Sequence, residues 1–206
     1  RVAPSFAPIE ADNGVRGDTT MEKLSSLPPA FDRKFGTVTA GNSSFLTDGA
    51  AACLLMSAEK AEELGVPSLA RVVSTALVAM DPLEELLLGP VASVPEALDA
   101  AEAPVGEVGV WEVHEAFAAP VLAFLKLLAD KGYCRERLGR KEAVGKIDPK
   151  KVNAWGGSLA LGHPFGATGA RLVTTCVERM EREEAGFGVV TTCAAGALGH
   201  AMVLAR

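Results

Sequence analysis

Cysteine is the first scarcity. The 206 residues contain 4 cysteines, at 53, 134, 176 and 193. No two form a CxxC pair and none has zinc-finger spacing, which excludes a zinc module. A secreted domain stapled by disulfides would be shorter and denser in cysteine, so a reducing compartment is expected. Long apolar runs are also missing. None approaches the roughly 18–20 residues of a bilayer span, which excludes a membrane-spanning helix, although mean hydropathy is slightly positive at +0.22. Positive charge is in deficit: 20 Lys and Arg against 26 Asp and Glu leave a net charge of −6. That balance argues against nucleic acid and against anionic membrane surfaces as partners, while leaving room for a local basic patch around an anionic ligand. The opening segment has no apolar core and contains acids, so it is no targeting signal. It starts with Arg1 rather than Met, and the expectation is that the chain begins inside a longer polypeptide.

What is present is a foldable composition, 49% hydrophobic and 22% charged, with 21 glycines for tight turns and close backbone approaches. The length suits one large domain or two small ones. Residues 1–36 are interrupted by prolines and predict one short helix near 20–27, capped by Asp18 or Thr19. Residues 35–40 predict a short strand, and 50–56 an apolar strand buried on both faces. Ser57 then caps a helix that ends before Gly65. Further strands are expected at 69–79, 108–113, 152–155, 188–193 and 200–204. Helices are expected at 95–102 with Ser93 as cap, at 116–130 and at 166–183. Residues 131–150 are charged and read as loop. Alternating strands and helices with a closing antiparallel pair predict a layered α/β fold.

Three segments carry chemistry. His114-Glu115-Ala116-Phe117 follows the strand at 108–113, where open α/β sheets place their sites. On spacing alone, Glu115 capping the next helix and His114 lying on the surface is an equally simple reading. In the run 162–169, His163 precedes Pro164 and is forced out of the helical region, and small residues then open a helix whose start favours an anion. The glycine spacing fits neither a P-loop nor a dinucleotide fingerprint. The plain alternative is a glycine-rich turn with a satisfied histidine. At 193–200, Cys193 ends one strand and a small-residue turn leads into the last. Alone it reads as inert packing, as do Cys53 and Cys176.

Together the segments resemble the C-terminal half of a thiolase. The marks are HEAFA at 114–118, GGSLALGHPFGATGAR at 156–171, CAAGALGH at 193–200 and, upstream, VTAGNSSFLTDGAAA at 38–52. The resemblance runs from about Asp12 to the end. The histidine of HEAFA, where many thiolases have asparagine, and the run GRKEAVGKIDPKKVNAWGGS are similar to the long-chain 3-ketoacyl-CoA thiolases that form the β subunit of trifunctional complexes.

The resemblance implies a layered αβαβα fold, with 1–36 as the end of a loop domain, 37–66 as a returning strand and helix of the N-terminal domain, and 67–206 as the C-terminal domain. It implies cleavage of a 3-ketoacyl-CoA by CoA to acetyl-CoA and a shortened acyl-CoA, in fatty-acid β-oxidation. His163 matches the histidine that activates a nucleophilic cysteine. Cys193 matches the second, acid/base cysteine. His114 takes the place of an asparagine that holds an oxyanion-hole water. Ala195 stands where the family usually has a glycine whose backbone N–H donates to an oxyanion, and that donor survives if φ is negative. Leu198 replaces a position that is often polar. Ser44, Ala116 and Phe117 match residues along the pantetheine tunnel. Coenzyme A enters as substrate, with no permanent cofactor and no metal. The implied partners are the N-terminal thiolase half, a second copy in a homodimer, and a hydratase/dehydrogenase α subunit. The implied compartment is the mitochondrial matrix or the bacterial cytoplasm. None of the four cysteines matches the nucleophile, which is expected ahead of residue 1. A non-catalytic acyl-CoA-binding subunit of the same fold, and a hydrolase using Cys193 and His163, are the competing readings.

Overall fold

The computed structural model describes residues 10–206. It divides into two units, the first ending at Gly41 and the second spanning Asn42–Arg206. In the first, helix α1 (Met21–Ser25) is capped by Thr20, whose hydroxyl accepts from the Lys23 N–H. Asp18, one of the two expected caps, instead pairs with the Lys23 ammonium at 2.6 Å. No strand forms at 35–40. The Asp32 carboxylate accepts from the Lys34 and Phe35 N–H groups, and the Asp32 carbonyl accepts from Gly36, so the chain turns there instead.

The second unit is built on a four-stranded mixed sheet. Its strands are β1 (Arg71–Ala79), β2 (Val108–Val113), β3 (Phe187–Ala194) and β4 (Leu198–Ala205). The order is β1-β4-β3-β2. The β1–β4 and β4–β3 pairs are antiparallel, and β3 runs parallel to β2. Helix α2 (Ala58–Leu64) starts at the Ser57 cap and ends at Gly65 with φ 64°, as its sequence predicts. Helices α3 (Gly89–Ala100), α4 (Ala118–Leu128), α5 (Lys131–Leu138), α6 (Ser158–Leu161) and α7 (Thr168–Arg182) complete the unit.

The two faces of the sheet are covered by different helices. On one, Val91, Val94, Ala97 and Leu98 of α3 pack with Trp111, Val113, Val189, Ala201 and Val203, and with Phe124 and Leu128 of α4. On the other, Leu172, Cys176 and Met180 of α7 recur every four residues and cover Val110, Val190 and Leu204. Consecutive residues of β2 and β3 thus enter opposite cores, which is why these strands lack polar alternation. The start of α3 lies close on β4: a Cβ on Gly89 would sit 2.5 Å from the backbone of Gly199, so only glycine allows the approach. Strand β1 is covered on one face only, and its Leu77 is 73% exposed.

Further expectations are corrected. Residues 50–56 form no strand, and Leu54 and Leu55 are 79% and 75% exposed. A strand buried on both faces needs ladder partners, and none of the four strands pairs with this segment. Helix α3 begins earlier than expected, because Pro90 rather than Pro95 occupies its first turn; Ser93 lies buried inside it and caps nothing. The charged run after residue 130 contains α5, capped by the Asp130 carboxylate on the Tyr133 N–H and closed by Gly139 at φ 67°. Cys134 is buried in it, while Cys53 is exposed. Residues 152–155 make a single bridge, Val152 to Trp111, because Asn153 turns to φ 46°.

Candidate active site

Strands β2 and β3 end side by side. The backbone N–H of His114, one residue past β2, donates to the Thr191 carbonyl of β3 at 2.9 Å. Cys193 follows two residues later, paired with Gly199 of β4. His163 reaches the same end from the loop between α6 and α7. Gly162 before it takes φ 91°, and a Cβ there would collide with the Thr47 side chain. The His163 N–H donates to the Phe45 carbonyl at 2.8 Å, and Leu46 bridges to His163 in parallel. The His163 ring is set by Thr168, the buried first residue of α7, with Nδ1 and Oγ1 2.7 Å apart.

The two histidines meet. Their ring centroids are 4.3 Å apart and tilted by 43°. Phe165 lies 4.7 Å from the His163 centroid. The segment that holds His163 also holds HEAFA: the N–H and hydroxyl of Ser44 donate to the Ala116 carbonyl at 3.0 and 3.1 Å, and Ser43 bridges to Phe117. Ser44, Ala116 and Phe117 are therefore brought together with both histidines. Cys193 lies on the adjacent strand end, buried, without a hydrogen bond to either ring among the described residues. Ala195 is exposed in the turn that follows. The left-handed conformations of that turn fall on Gly196 and Ala197, and Ala195 keeps a negative φ. Leu198 begins β4 and is 40% exposed.

Several supporting residues escape sequence reasoning. Glu115 is a cap, but of α6 rather than α4: Oε2 accepts from the Leu159 N–H at 3.0 Å, and Oε1 accepts from Asn153 at 2.6 Å. Asn153 also clamps the end of β2, accepting from the Val113 N–H and donating to its carbonyl, both at 2.8 Å. Ser158 Oγ, fully buried, lies 3.0 Å from His114 Nδ1 and accepts from Arg171 Nη2 at 3.1 Å. Arg171 Nε and Nη1 and Glu112 Oε2 are buried without partners among the described residues. Each pairing joins residues about 13 to 44 positions apart in sequence, so none leaves a local signature.

Burial dominates the electrostatics. It pushes the His114 pKa down to about 4, helped by the neighbouring His163 and Arg171. His163 moves down as well, through burial and then Arg171. Burial raises the Cys193 thiol above its ordinary value. At neutral pH the site therefore holds neutral imidazole at His114 and an intact thiol at Cys193. A histidine that titrates near 6.5 unfolded and near 4 folded gives full stability above pH 6.5 and loses it as pH falls toward 4, because the unfolded chain takes the proton first. The expected loss from His114 over that window is about 3 kcal/mol. Urea unfolding at stepped pH should show a shallower decline for His114→Asn than for the parent; equal slopes would refute the neutral, buried ring.

The ends of β2 and β3 thus carry a close, tilted pair of histidines and, on the neighbouring strand, a buried thiol. The family profile described as "Thiolase, C-terminal domain" matches residues 66–206, and "Thiolase, N-terminal domain" matches residues 4–59. The chain belongs to the thiolase family. It is 49% identical over 203 residues to a 3-ketoacyl-CoA thiolase of Escherichia fergusonii, spanning 98% of this chain and 47% of that protein. The Yersinia enterocolitica 3-ketoacyl-CoA thiolase is 48% identical over the same coverage. Among solved structures, the Bacillus anthracis acetyl-CoA acetyltransferase superposes with a TM-score of 0.79 at 35% identity, over 94% of this chain and 44% of that one. Human mitochondrial 3-ketoacyl-CoA thiolase gives 0.76 at 31%, over 95% and 45%. The chain thus spans about half the length of the relatives it matches.

Proposed function

We propose that this chain is the C-terminal half of a 3-ketoacyl-CoA thiolase of fatty-acid β-oxidation, of the trifunctional β-subunit type, and that it supplies the acid/base and oxyanion side of the site. The observation that carries the reading is the close, tilted pair His114–His163, with the buried Cys193 thiol on the adjacent strand end. In this reading a cysteine thiolate from the preceding half, kept anionic by His163, attacks the 3-keto carbon. The C2–C3 bond breaks, and the released carbanion of acetyl-CoA takes the Cys193 proton. The Cys193 thiolate then deprotonates an incoming CoA thiol, which removes the acyl group from the nucleophile. A thiol raised by burial suits this role, because it stays protonated until a strong base forms beside it. His114 holds an oxyanion-hole water, the Ala195 N–H donates to an oxyanion, and Ser44, Ala116 and Phe117 line the pantetheine arm.

The same reading assigns 37–66 to the N-terminal domain and 67–206 to the C-terminal domain. The exposed 50–56 segment and the uncovered face of β1 support it, since both are surfaces that a preceding half would bury. It makes the assembled protein a homodimer with a hydratase/dehydrogenase α subunit as partner, and the bacterial relatives favour the bacterial cytoplasm. Thiolysis of a 3-ketoacyl-CoA, followed by loss of the magnesium-enolate absorbance, tests the proposal. The chain joined to the N-terminal half of a bacterial relative should be active, and the 206-residue chain alone should not. Activity of the lone chain, or inactivity of a folded, CoA-binding fusion, would overturn it.

A further inference from the structure

The mechanism leaves three buried polar groups unused: the Ser158 hydroxyl, the Arg171 guanidinium and the second nitrogen of the His114 ring. Their geometry constrains one proton. Ser158 Oγ has two partners among the described residues, Arg171 Nη2 at 3.1 Å and His114 Nδ1 at 3.0 Å. Arginine has donors and no acceptor, so the Arg171 contact fills a lone pair on the oxygen and cannot take the hydroxyl proton. Ser158 is fully buried, so water does not take it either. The remaining acceptor is His114 Nδ1.

If Nδ1 carried the ring proton, Ser158 would receive two donors, and its own buried proton would have neither of these partners to go to. Buried donors are rarely left so. With Nδ1 as acceptor, every atom of the Arg171–Ser158–His114 chain has a consistent role. The ring proton of the neutral imidazole is then on Nε2. The guanidinium charge at the far end polarises the serine O–H toward the imidazole, which strengthens the arrangement. The groups facing His114 from the packed elements are Ser158 of α6, Arg171 of α7 and His163 of the loop between them; Glu115 is committed to Asn153 and Leu159.

We propose that Ser158 and Arg171 are positioning residues that hold His114 as the Nε2–H tautomer, so that its free nitrogen is a hydrogen-bond donor. Nε2 takes no protein partner among the described residues and is available to a water or an oxyanion. That use rests on the thiolase reading, whereas the tautomer does not.

Side-chain nitrogen NMR of the histidine-labelled chain tests the proposal without substrate or turnover, so a failure of the thiolase reading leaves the test intact. The chain has only 3 histidines, and His163→Gln and His200→Gln variants assign the signals. Near neutral pH, His114 should show the single Nε2–H coupling pattern. Ser158→Ala should lose that signature to an averaged or Nδ1–H pattern, and Ser158→Thr, which keeps the hydroxyl, should retain it. An Nδ1–H pattern in the unsubstituted chain overturns the proposal, and that measurement needs no variant to fold. An unchanged pattern in folded Ser158→Ala overturns it as well.

Discussion

Cys193→Ser in the assembled thiolase should lower kcat by about 10²–10⁴-fold while KM for the 3-ketoacyl-CoA moves little. The thiol sits at the end of β3, buried, with its pKa raised by that burial. In the proposed mechanism it donates a proton to a carbanion and then recovers one from a thiol. Both transfers need a group whose acidity lies between those of the partners. A serine hydroxyl has nearly the same shape and is a much weaker acid, so ground-state contacts survive while the transition state loses its proton donor. The loss corresponds to about 3–5 kcal/mol of barrier. Exchange of the acetyl-CoA methyl protons with deuterated solvent isolates the step and should fall in parallel with kcat. A variant in which KM rises while exchange is preserved would remove Cys193 from acid/base duty.

The legible parts of this fold are those where a local rule has no competitor. Strand β2 fills both cores with consecutive apolar residues, and its bounds follow from composition. Helix α2 carries both of its end signals, Ser57 and Gly65. Other elements are obscured by rival signals. Pro95 mimics a helix start, yet Pro90 five residues earlier already supplies it. Helix α5 hides in a charged run because only a narrow side is buried, at Cys134. Residues 50–56 have strand composition without a strand, since composition reports what a segment can bury and not whether a partner is at hand.

The site divides along similar lines. His114, His163 and Cys193 sit in short motifs where unusual residues cluster, and the turn chemistry around them can be read directly. Asn153, Ser158 and Arg171 cannot be found that way. Each matters through hydrogen bonds to residues distant in sequence, and a lone polar residue carries no mark of such a partner. Glu115 illustrates the boundary: its capping character is legible, but which helix it caps depends on how the chain folds back.

Arg179→Leu should destabilise the domain by about 3–5 kcal/mol. Arg179 lies on the stripe of α7 that faces the sheet, and it is fully buried together with Glu112 of β2. Its donors are all engaged. Nη1 reaches Glu112 at 2.7 Å and the Trp111 carbonyl at 3.4 Å, Nη2 reaches the Lys151 carbonyl and Glu183 Oε2, and Nε reaches Glu183 Oε1 at 2.9 Å. Burial pushes the Glu112 carboxyl up, and the guanidinium beside it pulls it back. Removing the arginine leaves a carboxylate in a dry core, with Oε2 already without a partner among the described residues. The carboxyl then takes a proton to stay buried, and that cost grows as pH rises above the carboxylate range of the unfolded chain. Urea unfolding should therefore show a larger defect for Arg179→Leu at pH 8 than at pH 5. Replacing both members, Glu112→Leu with Arg179→Leu, removes the stranded charge and should recover part of the loss, since apolar substitutes for a buried pair are often neutral. A double variant as unstable as the sum of the two singles would mean that the pair acts independently and that the carbonyl contacts of Arg179, not its charge partner, hold α7 on the sheet.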